Sequence, residues 1–494
     1  MNKKICSDKV IWGRREPAVL EGSIPLPSGV NDLVSVLSVC GFAEVEDVSC
    51  AGGVICIRGT ARFTVLYSAG DGEPDSFDAE CSFEHSADIQ DAVDGMTLSA
   101  VAEPTWINCR PDGGLLKLSS EIMIDIAGFH TVETEILVPE INAGVEYDLR
   151  ESNASRNKLR CVKCYSNNEL RIPQTMPELQ KLLFTDGCAV VNSIKPENGR
   201  AAIEGELKLF IAYLSNDKNA PLQFMSDTLS FGEVISDPEI NEDSVINVIA
   251  VPERISAEPE NDVLQISSVI SLCVLITSEE KTEYVSDMYS LSANTCVKRG
   301  CVPSSEIIPV DSVKKVLRST LTIPETYPEA SRMLISTSCA EITGAVYENG
   351  RLNVDGIIHY ALCYTTQESG LKSITLKEPF DEEIPVTGLN ENTDITVKAY
   401  SDYTAASGSG REIAVKTCLE FIIFAKRNRD FCPVICAEFS EATPRQGGMT
   451  VYYADGNETL FDIARKNRVA KSCLTCLDGE KELPDRGSRL LIIK

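Results

Sequence analysis

Apolar and polar residues alternate with a period of two along most of this chain, and the alternation comes in three rounds. The clearest runs are Leu118, Ile122, Ile124, Ile126, then Ile266, Ile270, Leu272, Val274, then Val415, Leu419, Phe421, Ile423. Alternation of this kind, with the other face polar, predicts half-buried antiparallel strands. Each run closes a longer repeated unit. Ile24-Pro25, Ile172-Pro173 and Ile323-Pro324 open three segments about 150 residues apart. Pro177-Glu178-Leu179 and Pro328-Glu329-Ala330 follow in the second and third. The apolar residues after them (Leu179, Leu182, Leu183; Met333, Leu334) are spaced as on a helix. Asp32-Leu33-Val34 with Val36-Leu37 fills the same place in the first copy, so one short helix per copy is expected.

A long strand comes next in each copy, with a glycine inside it: Gly59, Gly205 and Gly356. A tyrosine stands eight residues after each glycine: Tyr67, Tyr213 and Tyr364. Glycine within an alternating strand signals a bulge or a close backbone approach. Polar turns follow at Ser68 to Gly72, Asn216-Asp217 and Glu368 to Gly370, predicting hairpins. The second arms carry Phe83, Phe231 and Phe380, each 24–26 residues after its glycine.

Each copy thus holds six or seven strands in about 110–120 residues, the size of a β-sandwich with one short helix. The expected fold class is mainly β: three tandem β-sandwich-like repeat domains, strung one after another, followed by a small βααβ module. The domains fall at 15–135, 172–288 and 322–440. Between them lie polar linkers at 136–171 and 289–321, the second with a short helix over Val310 to Leu317. After Pro444-Arg445-Gln446 the character changes, and 449–494 reads as strand, helix, second helix near Lys471 to Leu477, and strand.

Charge sharpens this division. The 494-residue chain has a formal net charge of −28, with 46 basic and 74 acidic residues. Residues 449–494 hold eight basic and seven acidic side chains, so the tail is +1 and the rest −29. A body that acidic disfavours nucleic acid, which needs clustered Lys and Arg, and is repelled by anionic lipid. The one basic cluster, Arg150, Arg156, Lys158, Arg160 and Lys163, reads as a solvated linker, or else as a contact for an acidic partner. No apolar run approaches a bilayer span, and none follows Lys3-Lys4 as a signal peptide would require. The expectation is therefore a cytoplasmic chain that does not cross a membrane. Nineteen scattered cysteines fit free thiols in a reducing cytosol. The two CxxC pairs, Cys161/Cys164 and Cys473/Cys476, lie too far apart in sequence for a zinc ribbon, and a redox or zinc role for them is the alternative to free thiols.

Catalytic signatures are missing. There is no nucleophile elbow, Walker loop, HExxH or dinucleotide fingerprint. With three histidines in the chain, little room remains for histidine chemistry, and His359 reads as a half-exposed strand residue. The expectation is a non-enzyme with no cofactor and no metal. A β-rich enzyme with an unrecognised site is the rival in that class.

The pieces resemble known modules. Residues 449–494 look like a LysM module on Gly456 to Leu460, Ile463-Ala464, Leu474 to Asp478 and Gly487 to Ile493. The Ile-Pro, Gly-to-Tyr and final-strand units resemble the SPOCS-type domain. Three such units followed by a LysM resemble the SpoVID/SipL class of spore-coat morphogenetic proteins. That resemblance implies a scaffold in the mother-cell cytosol that attaches the coat to the forespore surface. Its LysM would dock a SpoIVA-like basement-layer ATPase, and its repeats would recruit other coat proteins. The implied contact residues are Gly456, Asn457, Glu458, Thr459, Lys471 and Asp478. In LysM members that bind glycan, these loops face N-acetylglucosamine, so peptidoglycan or chitooligosaccharide is the alternative ligand. Glu458 and Asp478 depart from the usual Asp and Asn, and Gly456 is displaced by one. Replacing an amide by a carboxylate removes a donor and favours a protein ligand.

Overall fold

The structure, a computed structural model, describes residues 2–493 apart from 28–29, 31–32, 71–72, 141–143, 218–220, 261–262, 368–369, 444–446, 478 and 480–482. The expected helix start at Asp32, the turn tips Asp71-Gly72 and Glu368-Ser369, and the junction Pro444-Arg445-Gln446 lie outside the described residues. The rest is nearly all β, in antiparallel sheets, with one α-helix among the described residues.

The first six strands are β1 (Asn2–Pro25), β2 (Ser35–Ala51), β3 (Val54–Ser68), β4 (Pro74–Asp88), β5 (Thr97–Asp112) and β6 (Leu115–Leu137). They form two three-stranded sheets, β2-β3-β4 and β1-β6-β5. The opening strand lies along the closing one, with Asn2 opposite Leu137 and Pro25 opposite Leu115. The next six are β7 (Val145–Arg171), β8 (Leu179–Glu197), β9 (Arg200–Ser215), β10 (Leu222–Ser236), β11 (Val245–Glu260) and β12 (Val263–Ser290). They trace the same path, as sheets β8-β9-β10 and β7-β12-β11. Then come β13 (Ala293–Arg299), β14 (Ser305–Ile308), β15 (Val313–Thr322), β16 (Arg332–Glu348), β17 (Arg351–Thr365), β18 (Leu371–Pro385), β19 (Thr393–Ser407), β20 (Glu412–Asn428) and β21 (Val434–Glu441). Here β16-β17-β18 is one sheet. In the other, β14 and β15 pair successive stretches of β20, and β19 pairs β20 as well. A two-stranded ribbon, β13-β21, stands apart from these sheets.

Three expectations are corrected here. The polar stretch 136–171 is no irregular linker: most of it is β7, paired with β12 from Arg171–Val263 to Val145–Ser290. As an edge strand it turns one face to solvent, which explains its polar composition. The helix expected over Val310 to Leu317 is replaced by β15, whose burial alternates residue by residue. The short helices expected at the start of each copy are likewise strands β2, β8 and β16. Register shifts at Val36/Ser38, Leu179/Lys181, Leu182/Phe184 and Met333/Ile335 insert extra residues. Such bulges break the period of two and mimic helical spacing.

The in-strand glycines meet the phenylalanines named above. Gly59 pairs Phe83, Gly205 pairs Phe231 and Gly356 pairs Phe380 across neighbouring strands. A Cβ on Gly205 would lie 2.3 Å from Phe231 Cζ and 2.5 Å from the Val190 carbonyl oxygen, and Gly59 and Gly356 are as crowded. On the other flank each glycine faces a bulge, at Val45/Asp47, Val191/Ser193 and Ile342/Gly344. Two of the tyrosines bind the turn that opens the unit. Tyr213 and Tyr364 donate hydroxyl hydrogen bonds to the carbonyls of Pro177 and Pro328, each at 3.0 Å.

Between the paired sheets lie three apolar cores, built on Ile57, Phe63 and Ile124, on Ile203, Leu209 and Leu272, and on Val354, Leu362 and Phe421. These units are not strung out, contrary to expectation. Leu37 and Leu66, Leu183 and Phe184, and Ile335 and Cys363 meet in one shared cluster. Val10, Trp12, Ile249, Cys273, Ile307 and Phe424 meet in a second. Ion pairs, those of Lys208 and Lys398 buried, bridge the same seams. Lys163 holds Glu44 at 2.7 Å and Glu253 at 2.8 Å. Lys208 of β9 pairs with Glu420 of β20 at 3.2 Å and with Asp402. Lys398 of β19 reaches Asp125 of β6.

Asp186 sits at the first shared cluster, on β8. Burial pushes its pKa up from 3.8 to about 6, opposed by the Gly187 N–H that it accepts at 2.8 Å. A carboxyl whose folded pKa exceeds its unfolded value makes stability fall as pH rises between the two, because the folded state holds the extra proton. Asp186→Asn keeps the acceptor and removes the buried charge. It is expected to raise the melting temperature above about pH 6 and to leave it unchanged below pH 3.8. Thermal melts of both proteins across that window check this.

Candidate binding surface

The described part of residues 449–494 folds as β22 (Met449–Tyr453), α1 (Leu460–Asn467), β23 (Leu474–Cys476) and β24 (Arg489–Ile493). The sheet order is β22-β24-β23. The second helix expected near Lys471 is a single 3-10 turn, Lys471–Cys473, that runs straight into β23. Thr459 caps α1. Its hydroxyl accepts from the Asp462 N–H, and the Asp462 carboxylate accepts from the Thr459 N–H, a reciprocal capping box. The amphipathic helix buries Phe461, Ile463 and Ala464 against Leu490 and Ile492.

This module leans on the body. Tyr289, at the end of β12, packs edge-on against Phe461 with ring centroids 5.1 Å apart. Its hydroxyl donates to the Val469 carbonyl at 2.7 Å. Asp287 pairs with both Arg299 and Arg465, and Arg468 donates to Asn294. Tyr289 and Leu291 thereby belong to the module's own core.

The structure separates the implied contact residues. Asn457 and Lys471 are exposed. Gly456 turns the chain at φ +85°, where a Cβ would crowd Arg486 at 3.0 Å. Thr459 is occupied as the helix cap. Glu458 is no open loop carboxylate: it is 8% exposed and accepts from the Tyr452 hydroxyl at 2.7 Å while pairing with Lys466. The Lys466 ammonium and the Tyr452 hydroxyl hold its pKa below the usual carboxylate range. Asp478 lies outside the described residues.

A further surface escaped the sequence reading. Met449, Val451 and Tyr453 on β22 and Ile493 on β24 are all exposed. Met449 lies opposite Ile493 and Val451 opposite Leu491, so they share one sheet face, away from α1. Alternation along β22 was the available signal, but Tyr452 on the inner face made both faces look apolar. Contiguous exposed apolar residues of this kind mark interaction sites.

Elsewhere, most of the basic cluster is spent internally on β7. Lys158 and Arg160 share Asp237 at 3.0 Å each, and Lys163 holds Glu44 and Glu253. His359 is buried at 6% exposure, not half-exposed, and shares a 2.8 Å hydrogen bond with Glu341. Cys161 and Cys164, three apart on a strand, leave it on opposite faces and cannot converge on one ion. Among the described residues no helix is long and apolar enough to cross a membrane.

In comparison with known families, residues 178–260 match the family model described as the SipL SPOCS domain. That span runs from β8 through β11 and omits β7 and β12, whose pairing closes the unit. No curated protein and no solved structure matches the chain.

Proposed function

We propose that this chain is a non-enzymatic scaffold of spore-coat assembly, acting in the mother-cell cytosol at the forespore surface. The observation that carries the reading is the SPOCS match over β8–β11, together with the recurrence of the same Gly–Phe sheet at β2–β4 and β16–β18. On this reading the chain holds three SPOCS-type units and a LysM-like tail. The tail docks a SpoIVA-like ATPase and the units recruit other coat proteins. Packed units with several outward faces suit a scaffold, because contacts made by many copies on one shell gain ~10²–10⁴ in avidity. The internal pairing of Glu458 weighs for a protein ligand over glycan, since it removes a loop carboxylate from sugar contact.

The tail should be tested in the full chain, because a fragment cut at 449 loses Tyr289 and Asp287. A fluorescent fusion is expected to form a ring at the forespore. Val451→Asp with Lys471→Glu is expected to weaken capture of the purified ATPase by ~10-fold or more. Ile463→Ala, which empties part of the module core and costs ~2–5 kcal/mol, serves as the unfolding control. Unchanged affinity in the double variant would move docking to the repeats. Saturable heat with chitooligosaccharide would favour the glycan ligand.

A further inference from the structure

Four of the five exposed cysteines, Cys296, Cys301, Cys432 and Cys436, crowd the ribbon β13-β21 and the chain leading from it. Two of them face each other in register. Val302 and Phe431 exchange both backbone hydrogen bonds, at 2.9 and 3.1 Å, and one step on, Gly300 N–H donates to the Pro433 carbonyl at 2.9 Å. Cys301 and Cys432 lie between these rungs, as a non-hydrogen-bonded antiparallel pair. Such a pair holds its Cα atoms ~4.5 Å apart with side chains on one face. That separation falls inside the range a disulfide spans, ~4.4–6.8 Å. Cys296 faces Glu438 and Cys436 faces Lys298, which sets those two thiols on a diagonal. Diagonal neighbours sit ~7–8 Å apart, too far for easy bridging.

We propose that Cys301 and Cys432 are a thiol-oxidation site, closing to a cross-strand disulfide when the chain meets a low-molecular-weight disulfide. One thiolate attacks the small disulfide, releasing one small thiol and leaving a mixed disulfide. The second protein thiolate then displaces the second small thiol. Two protein thiols are oxidised and one small disulfide is reduced to two thiols, with the two protons passing to the leaving thiolates. The bond would tie entry to exit of the third unit, since β14 to β20 all lie between its ends. It would do so where Val302 and Phe431 pack with Ile5, Ile136 and Ala154 of the other units. Burial, then the charge of Asp430, pushes the Cys301 thiol pKa up, so closure should speed up as pH rises towards and past neutrality.

The test is full-length protein equilibrated in glutathione redox buffers, trapped with a maleimide under denaturing conditions, and digested for mass spectrometry. A Cys301–Cys432 linked peptide is expected, with Cys296 and Cys436 unlinked. The linked protein should melt higher than the reduced one, and Cys301→Ser and Cys432→Ser should each abolish that rise while melting like reduced wild type. Both thiols remaining free at oxidising poise, persistent mixed disulfides without the link, or linkage to other cysteines would each overturn the proposal.

Discussion

Gly205→Ala is expected to destabilise the second unit by about 1–3 kcal/mol, a large effect for one methyl group. The position has no slack. The new Cβ would meet the Phe231 ring at 2.3 Å and the Val190 carbonyl at 2.5 Å. The ring is 5% exposed and wedged in the core, so it cannot swing away without opening a void. The carbonyl belongs to a strand already bulged at Val191/Ser193. Phe231→Ala alone should cost ~3–5 kcal/mol, through lost burial and the cavity left behind. Combined, the two changes should cost less than their sum, because the small residue relieves the ring clash of the other. Some penalty from the carbonyl should persist. Strict additivity in chemical denaturation would show that ring and glycine do not share one space. Valine at the same position should be worse than alanine.

That glycine was legible in the sequence because its cause is local. One strand and its hairpin neighbour carry both partners, within 26 residues, and the pattern recurs. The strands themselves were legible for the same reason. What misled was local disorder of period. Bulges in β2, β8 and β16 spaced Leu179, Leu182 and Leu183 like a helix face, and the edge position of β7 gave it the composition of a linker. The packing of the units against one another was not legible at all. Lys208 and Lys398 stand on alternating strands where a charge normally points to solvent, and their acidic partners lie about 200 or more residues away. In the tail, the fate of Glu458 was equally out of reach, since only the fold brings Tyr452 and Lys466 onto it.

A loss as large is expected from Lys398→Met. Lys398 is 1% exposed and belongs to the third unit, yet its ammonium lies 3.0 Å from Asp125 and 2.7 Å from Glu103, both of the first. It also stands 4.5 Å over the Tyr400 ring. Arg15 completes the group, 2.8 Å from Asp125 and 3.1 Å from Glu103, so two cations balance two carboxylates. Methionine keeps the length and strands a buried negative charge, a loss of ~3–5 kcal/mol. Because the pair spans two units, the loss should appear as separation of the units as well as a lower melting temperature. The pH dependence has a definite sign. Burial pushes the Asp125 pKa up, but Arg15 and Lys398 outweigh it and hold the carboxyl below its ordinary 3.8. A depressed folded pKa gives stability that is present above the unfolded value and lost as pH falls through the folded one. In wild type this contribution is therefore full above about pH 3.8 and falls away below it. Removing Lys398 lifts the Asp125 pKa, so the cost of Lys398→Met should be full near neutral pH and shrink as acid protonates Asp125. Asp125→Asn in the same chain leaves Arg15 facing Glu103 in balance and should recover part of the loss. A melting-temperature loss in Lys398→Met that is the same at acid and neutral pH would show that the seam is held by its apolar clusters and not by this charge group.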